Sequence, residues 1–98
     1  MIRVTNKRHG ATGEYIGRPS PLGNPFVIGR DGTREEVIAK YREWLERAIS
    51  PGVNDAARAE FTRLWRLCSS QHDLNLMCWC APSACHGDVI KEKLEEYL

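Results

Sequence analysis

Apolar and polar positions alternate at the start of the chain, where Ile2 and Val4 are interleaved with Arg3 and Thr5, and this predicts a short strand over residues 2–5. The next stretch, Asn6 to Gly13, carries Lys7, Arg8, His9 and two glycines and reads as a loop or hairpin. A second short strand follows around Tyr15 and Ile16, within residues 14–17. Residues 17–26 hold three prolines and two glycines. Both periodicities break there, yet each proline fixes its own φ and restricts its predecessor, so an ordered loop is expected. Val27 and Ile28 make a brief extended piece before the turn Gly29-Arg30-Asp31-Gly32.

The pattern then becomes helical. Thr33-x-x-Glu36 is a capping box, and Val37, Ile38, Tyr41, Trp44, Leu45 and Ala48 recur at helical spacing until Ser50-Pro51-Gly52. Asn54 or Asp55 caps a second helix with Ala57, Phe61, Leu64, Trp65 and Cys68 on one face, closed by the polar residues 69–73. Residues 74–80 are apolar on both alternating sets, as in a central strand covered on both faces, and Ala81-Pro82 stops it. Ser83 is the expected cap of a last helix striped by Val89, Ile90, Leu94, Tyr97 and Leu98. The expectation is one α/β domain over residues 1–98, a small sheet with central strand 74–80 flanked by three helices in two or three layers. The crossover between the strands permits residues 74–80 to pair in parallel with residues 2–5. Tyr41, Trp44 and Trp65 are read as core, and Trp79 as packing under a helix.

Composition adds little to this picture. The 98 residues are 42% hydrophobic and 28% charged, and 14 basic against 13 acidic side chains leave a net charge of +1. A global drive toward nucleic acid is therefore missing, and the cluster Lys7-Arg8-His9 reads first as solvated charge. No apolar run approaches the roughly 18 residues needed to cross a bilayer. The N-terminus lacks the apolar stretch of a signal peptide. A cytoplasmic protein is expected, whose cysteines 68, 78, 80 and 85 are thiols or metal ligands.

Two constellations carry chemistry. In Cys78-x-Cys80-x4-Cys85-His86 the first two cysteines share a strand face, while Cys85 and His86 fall at the start of the following helix, where backbone N–H groups and the dipole favour anions. Gly87 would let a ligand approach. Three thiolates and an imidazole also form a recognised zinc set, with His9 as an alternative ligand, although the spacing is not that of a zinc knuckle. Cys68 and Cys78 read best as small buried hydrophobes. In the second constellation, the loop offers the fork of Arg18 with hydrogen-bonding Ser20 and Asn24 on a stiff backbone. We therefore expect Arg18, Ser20, Asn24, Cys80, Cys85, His86, Gly87 and Asp88 to line one pocket for a phosphate-bearing, nucleotide-derived small molecule. Such a pocket serves a binding protein or an enzyme. In the enzyme reading Cys85 is a nucleophile of lowered pKa, and His86 or Asp88 a general base. The alternative is a zinc-stabilised module for nucleic acid or protein. No cofactor is expected in the first reading, and oligomeric state is left open.

The same residues resemble a family of phages and bacteria catalogued as domain of unknown function 4326. The resemblance rests on Tyr15-Ile16-Gly17-Arg18-Pro19-Ser20-Pro21-Leu22-Gly23-Asn24-Pro25-Phe26, on residues 29–37 leading into the first helix, and on Cys78-Trp79-Cys80-Ala81-Pro82-x-x-Cys85-His86-Gly87-Asp88-Val89. It covers nearly the whole chain and implies no particular activity. The last motif is also similar to that of another small α/β family, in which a strand ending in Cys leads into Cys-His and a helix. Arginine often follows that Cys-His; here Gly87 does, so a phosphate role falls to Arg18 or to backbone N–H groups.

Overall fold

Three parallel strands form one sheet: β1 (Ile2–Asn6), β2 (Glu14–Tyr15) and β3 (Leu74–Cys78), in the order β1-β3-β2. The computed structural model describes residues 1–9, 13–71, 73–80 and 83–98, His9 by its backbone alone. Part of the expected loop or hairpin after β1 (residues 10–12), and the Ala81-Pro82 stop, lie outside the described residues. Three helices complete the fold: α1 (Arg34–Ala48), α2 (Asp55–Gln71) and α3 (His86–Glu96). A 3₁₀ turn, Lys7–His9, follows β1.

β3 is central, as its apolar character requires, and Leu76 sits opposite Val4 on one side and Glu14 on the other. Side chains alternate across the strand, so Ile2, Leu74, Leu76 and Cys78 share a face. These residues join Ile16 and the helix residues Leu45, Leu64, Val89 and Leu94 in a single apolar core. The three helices gather on this face. The opposite face carries Thr5 and Asn75, joined by a side-chain hydrogen bond of 2.8 Å, together with Met77. Two packed layers result, the sheet and the helices, and Met77 is buried on the opposite face as well, so β3 is covered on both sides as its apolar sequence requires.

The boundaries expose three corrections. The strand expected over residues 74–80 stops at Cys78, because its partners stop there: Asn6 faces Cys78 and the chain then turns, and the last bond toward β2 runs from Ile16 N–H to the Met77 carbonyl. Beyond that point the Asn6 side-chain amide donates to the Trp79 carbonyl at 3.0 Å. Trp79 consequently lies past the sheet edge and is 50% exposed, not packed under a helix. Ser83 does not cap α3. Its N–H closes a turn onto the Cys80 carbonyl, and Cys85 is the N-cap.

The helix starts follow local chemistry. Thr33 Oγ1 accepts from Glu36 N–H, and the Glu36 carboxylate accepts from Thr33 N–H, completing the capping box of α1. Asn54 caps α2 through the Ala57 N–H. We expect Leu76→Ala to lower unfolding free energy by about 2–5 kcal/mol, since it empties a fully buried site between two strands and the helices. Thr33→Ala should cost about 1 kcal/mol, the usual loss for an exposed cap. Urea denaturation followed by far-ultraviolet circular dichroism measures both, and equal losses would contradict this division between core and cap.

Candidate crevice at the carboxyl edge of the sheet

Parallel pairing puts the carboxyl ends of all three strands on one edge, where open α/β sheets hold their ligands. The chain leaves that edge as Lys7 from β1, Ile16 and Gly17 from β2, and Trp79 from β3. A crevice of about 410 Å³ opens there, within the general range of about 300–1,000 Å³ for small-molecule sites. Its wall includes Arg18 and Asn24 from the proline loop, Arg34 from α1, and Cys80, Cys85 and His86. Among the described residues, no aspartate or glutamate lines it.

The loop is held from within. Ser20 N–H donates to the Gly17 carbonyl, Gly23 N–H to the Ser20 carbonyl, and the Asn24 side-chain oxygen accepts from Phe26 N–H. Leu22 is fully buried, and its carbonyl accepts from the Tyr41 hydroxyl at 2.7 Å, which pins the loop to α1. Gly17 lies close under the Tyr15 ring: a Cβ there would fall 2.5 Å from the Tyr15 hydroxyl oxygen and would have to push that ring aside. That hydroxyl donates to the Arg18 carbonyl at 2.7 Å and accepts from Trp79 Nε1–H at 3.1 Å. The aromatic rim and the backbone of Arg18 are thus one connected unit.

His86 lies at the start of α3, only 7% exposed, with its ring edge-on to Tyr41 at 5.1 Å between centroids. Its Nε2 is 2.7 Å from the Ile16 carbonyl oxygen. A carbonyl can only accept, so Nε2 carries the proton and Nδ1 is left as an acceptor. Burial holds the imidazole pKa below its ordinary value, and the nearby Arg18 adds to that effect. The ring is therefore neutral at pH 7.

Cys85 Sγ lies 3.2 Å from Cys78 Sγ, and both thiols are buried. Cys85 Sγ also accepts from Gly87 N–H, while Asp88 accepts from Cys85 N–H at 3.1 Å. The neighbouring Cys78 thiol and burial push the Cys85 thiol well above its ordinary pKa. The Cys78 thiol beside it, and then burial, outweigh the favourable helix start at Cys85.

The crevice thus brings together Arg18, Asn24, Cys80, Cys85 and His86 from the expected set. Ser20, Gly87 and Asp88 are placed elsewhere. The Ser20 hydroxyl accepts from Leu22 N–H inside the loop, and the Asp88 carboxylate completes the cap of α3. Gly87 serves close approach to the sheet, not to a ligand: a Cβ there would fall 2.8 Å from Ile16 Cδ1 and 2.9 Å from Val4 Cγ1. Among the described residues, no group of three or more His, Cys, Asp or Glu side chains is arranged to hold a metal ion. The His9 side chain, raised as a zinc ligand, lies outside the described residues. Sequence reasoning missed Arg34, Tyr15 and Trp79 as wall residues. Arg34 had a signal. It opens α1, where the helix dipole disfavours a cation, and its Nη1 instead donates to the Ala84 carbonyl across the crevice at 3.0 Å.

A family model described as a domain of unknown function (DUF4326) matches residues 2–96. The chain is also 32% identical over 91 residues to the "Uncharacterized 12.4 kDa protein in nrdA-td intergenic region" of Enterobacteria phage T4, a match spanning 92% of this chain and 74% of that protein. No solved structure matches the chain.

Two outcomes follow from the site chemistry. In the unfolded chain the His86 imidazole takes up its proton near pH 6.5, whereas in the fold it resists protonation. Below that pH the unfolded state binds more protons. The stability contribution is therefore complete above about pH 6.5 and is lost as the pH falls through the lower folded-state pKa. Denaturation midpoints between pH 8 and pH 5 should show this slope, and His86→Gln, which keeps a donor for Ile16, should flatten it; an unchanged slope would contradict the assignment. With an aromatic disulfide reagent at neutral pH, half-buried Cys80 should react first, while buried Cys68, Cys78 and Cys85 wait for denaturant. Rapid labelling that persists in Cys80→Ser would contradict the burial argument.

Proposed function

The chain belongs to the DUF4326 family, and we propose that its crevice binds a phosphate-bearing small molecule, most simply a nucleotide or nucleotide derivative. The observation that carries this reading is the charge of the wall: two guanidinium groups, Arg18 and Arg34, and no carboxylate among the described lining residues. Guanidinium forks match phosphate oxygens in geometry and stay charged at every physiological pH. The Asn24 amide and neutral His86 Nδ1 supply polar contacts of the kind that orient a sugar or base, and Phe26 and Val37 supply the apolar lining common to such pockets.

Binding is favoured over thiol chemistry because Cys85 is buried with its Sγ against that of Cys78. Four cysteines present as thiols fit a protein working in a reducing cytoplasm. No helix among the described residues is long and apolar enough to cross a membrane.

Calorimetric titration with nucleoside 5′-monophosphates and diphosphates, inorganic phosphate and pyrophosphate tests the reading, with amide resonances of the crevice residues as the site monitor. Arg18→Ala and Arg34→Ala should each weaken binding about tenfold or more, since a hydrogen bond to a charged group is worth about 1.5–3 kcal/mol. Raising salt should weaken it further. If none of these anions perturbs the crevice resonances at millimolar concentration, the proposal fails.

A further inference from the structure

The cationic wall does not end with the crevice. At its outer rim the Trp79 ring is half exposed and its Nε1–H is committed to the Tyr15 hydroxyl, which fixes the ring's orientation. Lys7 Nζ lies 4.4 Å from the centroid of the Tyr15 ring and 5.7 Å from that of Trp79, and the Arg8 guanidinium carbon lies 5.8 Å from the Trp79 centroid. None of the ion pairs among the described residues involves Lys7, Arg8, Arg18 or Arg34. The turn that presents Lys7 and Arg8 is itself anchored. The Asn6 side chain accepts from Arg8 N–H at 2.8 Å and donates to the Trp79 carbonyl. Positive charge therefore accompanies the aromatic rim, with Lys7 over the Tyr15 ring and Lys7 and Arg8 beside Trp79, as well as the crevice wall of Arg18 and Arg34.

Resting on the phosphate reading above, we infer that the ligand is a nucleoside phosphorylated on both sides of its sugar, with one phosphate at Arg18 and Arg34, its base stacked on the half-exposed Trp79 ring, and the second phosphate at Lys7 and Arg8. A base offers a planar π-face to any exposed ring, and cations flanking that ring neutralise phosphates on either side; this alternation is what sites for nucleotides and single strands use. An exposed tryptophan held by its own N–H, with cations gathered around it and no carboxylate paired to them among the described residues, is not what core packing produces. Inorganic phosphate or a sugar phosphate would leave the rim unused. The same chemistry occurs in a free nucleoside 3′,5′-bisphosphate and in the 5′-phosphorylated end of a single strand.

The test compares three probes by calorimetry: a ribose 5-phosphate, a nucleoside 5′-monophosphate and the corresponding nucleoside 3′,5′-bisphosphate. The expected order is weakest for the sugar phosphate and tightest for the bisphosphate, with steps of roughly tenfold each. Trp79→Ala should remove the first step, so that the monophosphate binds no tighter than the sugar phosphate to that variant. Lys7→Ala with Arg8→Ala should remove the second step, so that the bisphosphate binds no tighter than the monophosphate to that variant; both substitutions are at exposed positions, and a circular dichroism melt checks the fold. Equal affinity for monophosphate and bisphosphate, or a Trp79→Ala protein that still prefers the monophosphate over the sugar phosphate, overturns this inference while the phosphate reading stands. Failure of all three probes to bind overturns both. A 5′-phosphorylated hexanucleotide separates the sources: tighter binding than the free bisphosphate assigns a strand end, and equal or weaker binding assigns the free bisphosphate.

Discussion

The parallel pairing of β3 with both β1 and β2 is the constraint on which the rest of the molecule depends. A parallel neighbour on each side sends every strand out of the sheet at the same edge, and three unrelated segments then have to share that edge. Lys7, Gly17 and Trp79 are separated by up to 72 positions in sequence, yet they begin the three exits side by side. Antiparallel pairing of any one strand would have moved its exit to the opposite edge. The pairing is enforced by burial: Ile2, Leu74, Leu76 and Cys78 must all face the helices, and a slip of one residue would turn Arg3 and Asn75 into the core.

What closes the edge into a wall is a chain of polar contacts through otherwise apolar material. The Tyr41 hydroxyl holds the Leu22 carbonyl, its ring meets His86, and His86 holds the Ile16 carbonyl. Helix α1, the proline loop, β2 and the start of α3 are joined by two side chains. Both are buried and neutral, Tyr41 because burial raises its phenol pKa and His86 because burial lowers that of its imidazole. Neutral groups with their hydrogen bonds made are cheap to bury, whereas a charged pair doing the same task would carry a desolvation penalty of several kcal/mol per ion. The arrangement positions the crevice without adding charge to it, so the wall's charge is left to Arg18 and Arg34.

Helices were the most legible elements because their signals are local. The Thr33-x-x-Glu36 box and the apolar stripe from Val37 to Ala48 specify α1 without reference to any other part of the chain. The sheet was legible where burial on β3 set its central place, but strand ends depend on partners, and nothing near Cys78 in sequence reveals that Asn6 is the last residue to pair with it. The cap of α3 was obscured by chemistry of the wrong kind: Ser83 is the better cap by residue type, yet the weaker acceptor Cys85 takes the position because its side chain can also be buried against Cys78. Arg18, Asn24, Cys80, Cys85 and His86 were readable as a group that meets in space. Arg34 carried only the signal of a cation at an unfavourable helix start, Tyr15 and Trp79 looked satisfied by their own elements, and Gly87 was assigned to a ligand when Ile16 and Val4 already occupy the space beside it.

The near-neutral net charge illustrates how little a total says about a site. Many of the carboxylates are consumed in structural work, and none lines the crevice among the described residues. Glu14 and Glu60 hold Arg63, Asp31 holds Arg30 and the Val27 N–H, Glu46 and Glu96 hold Lys93, and Glu36 and Asp88 cap helices. Each of these commitments removes a negative charge that would otherwise be available to neutralise Arg18, Arg34, Lys7 or Arg8. A balanced composition is thereby sorted into paired charge over the helices and unbalanced positive charge along one edge of the sheet. At physiological ionic strength such a field fades over a Debye length of about 8 Å, so it acts on groups that enter the crevice or lie against its rim and hardly at all on a distant polyanion. Selectivity in such a site then follows from shape and stacking at short range, which is the reason an exposed, oriented tryptophan beside those cations matters more than the sum of the charges.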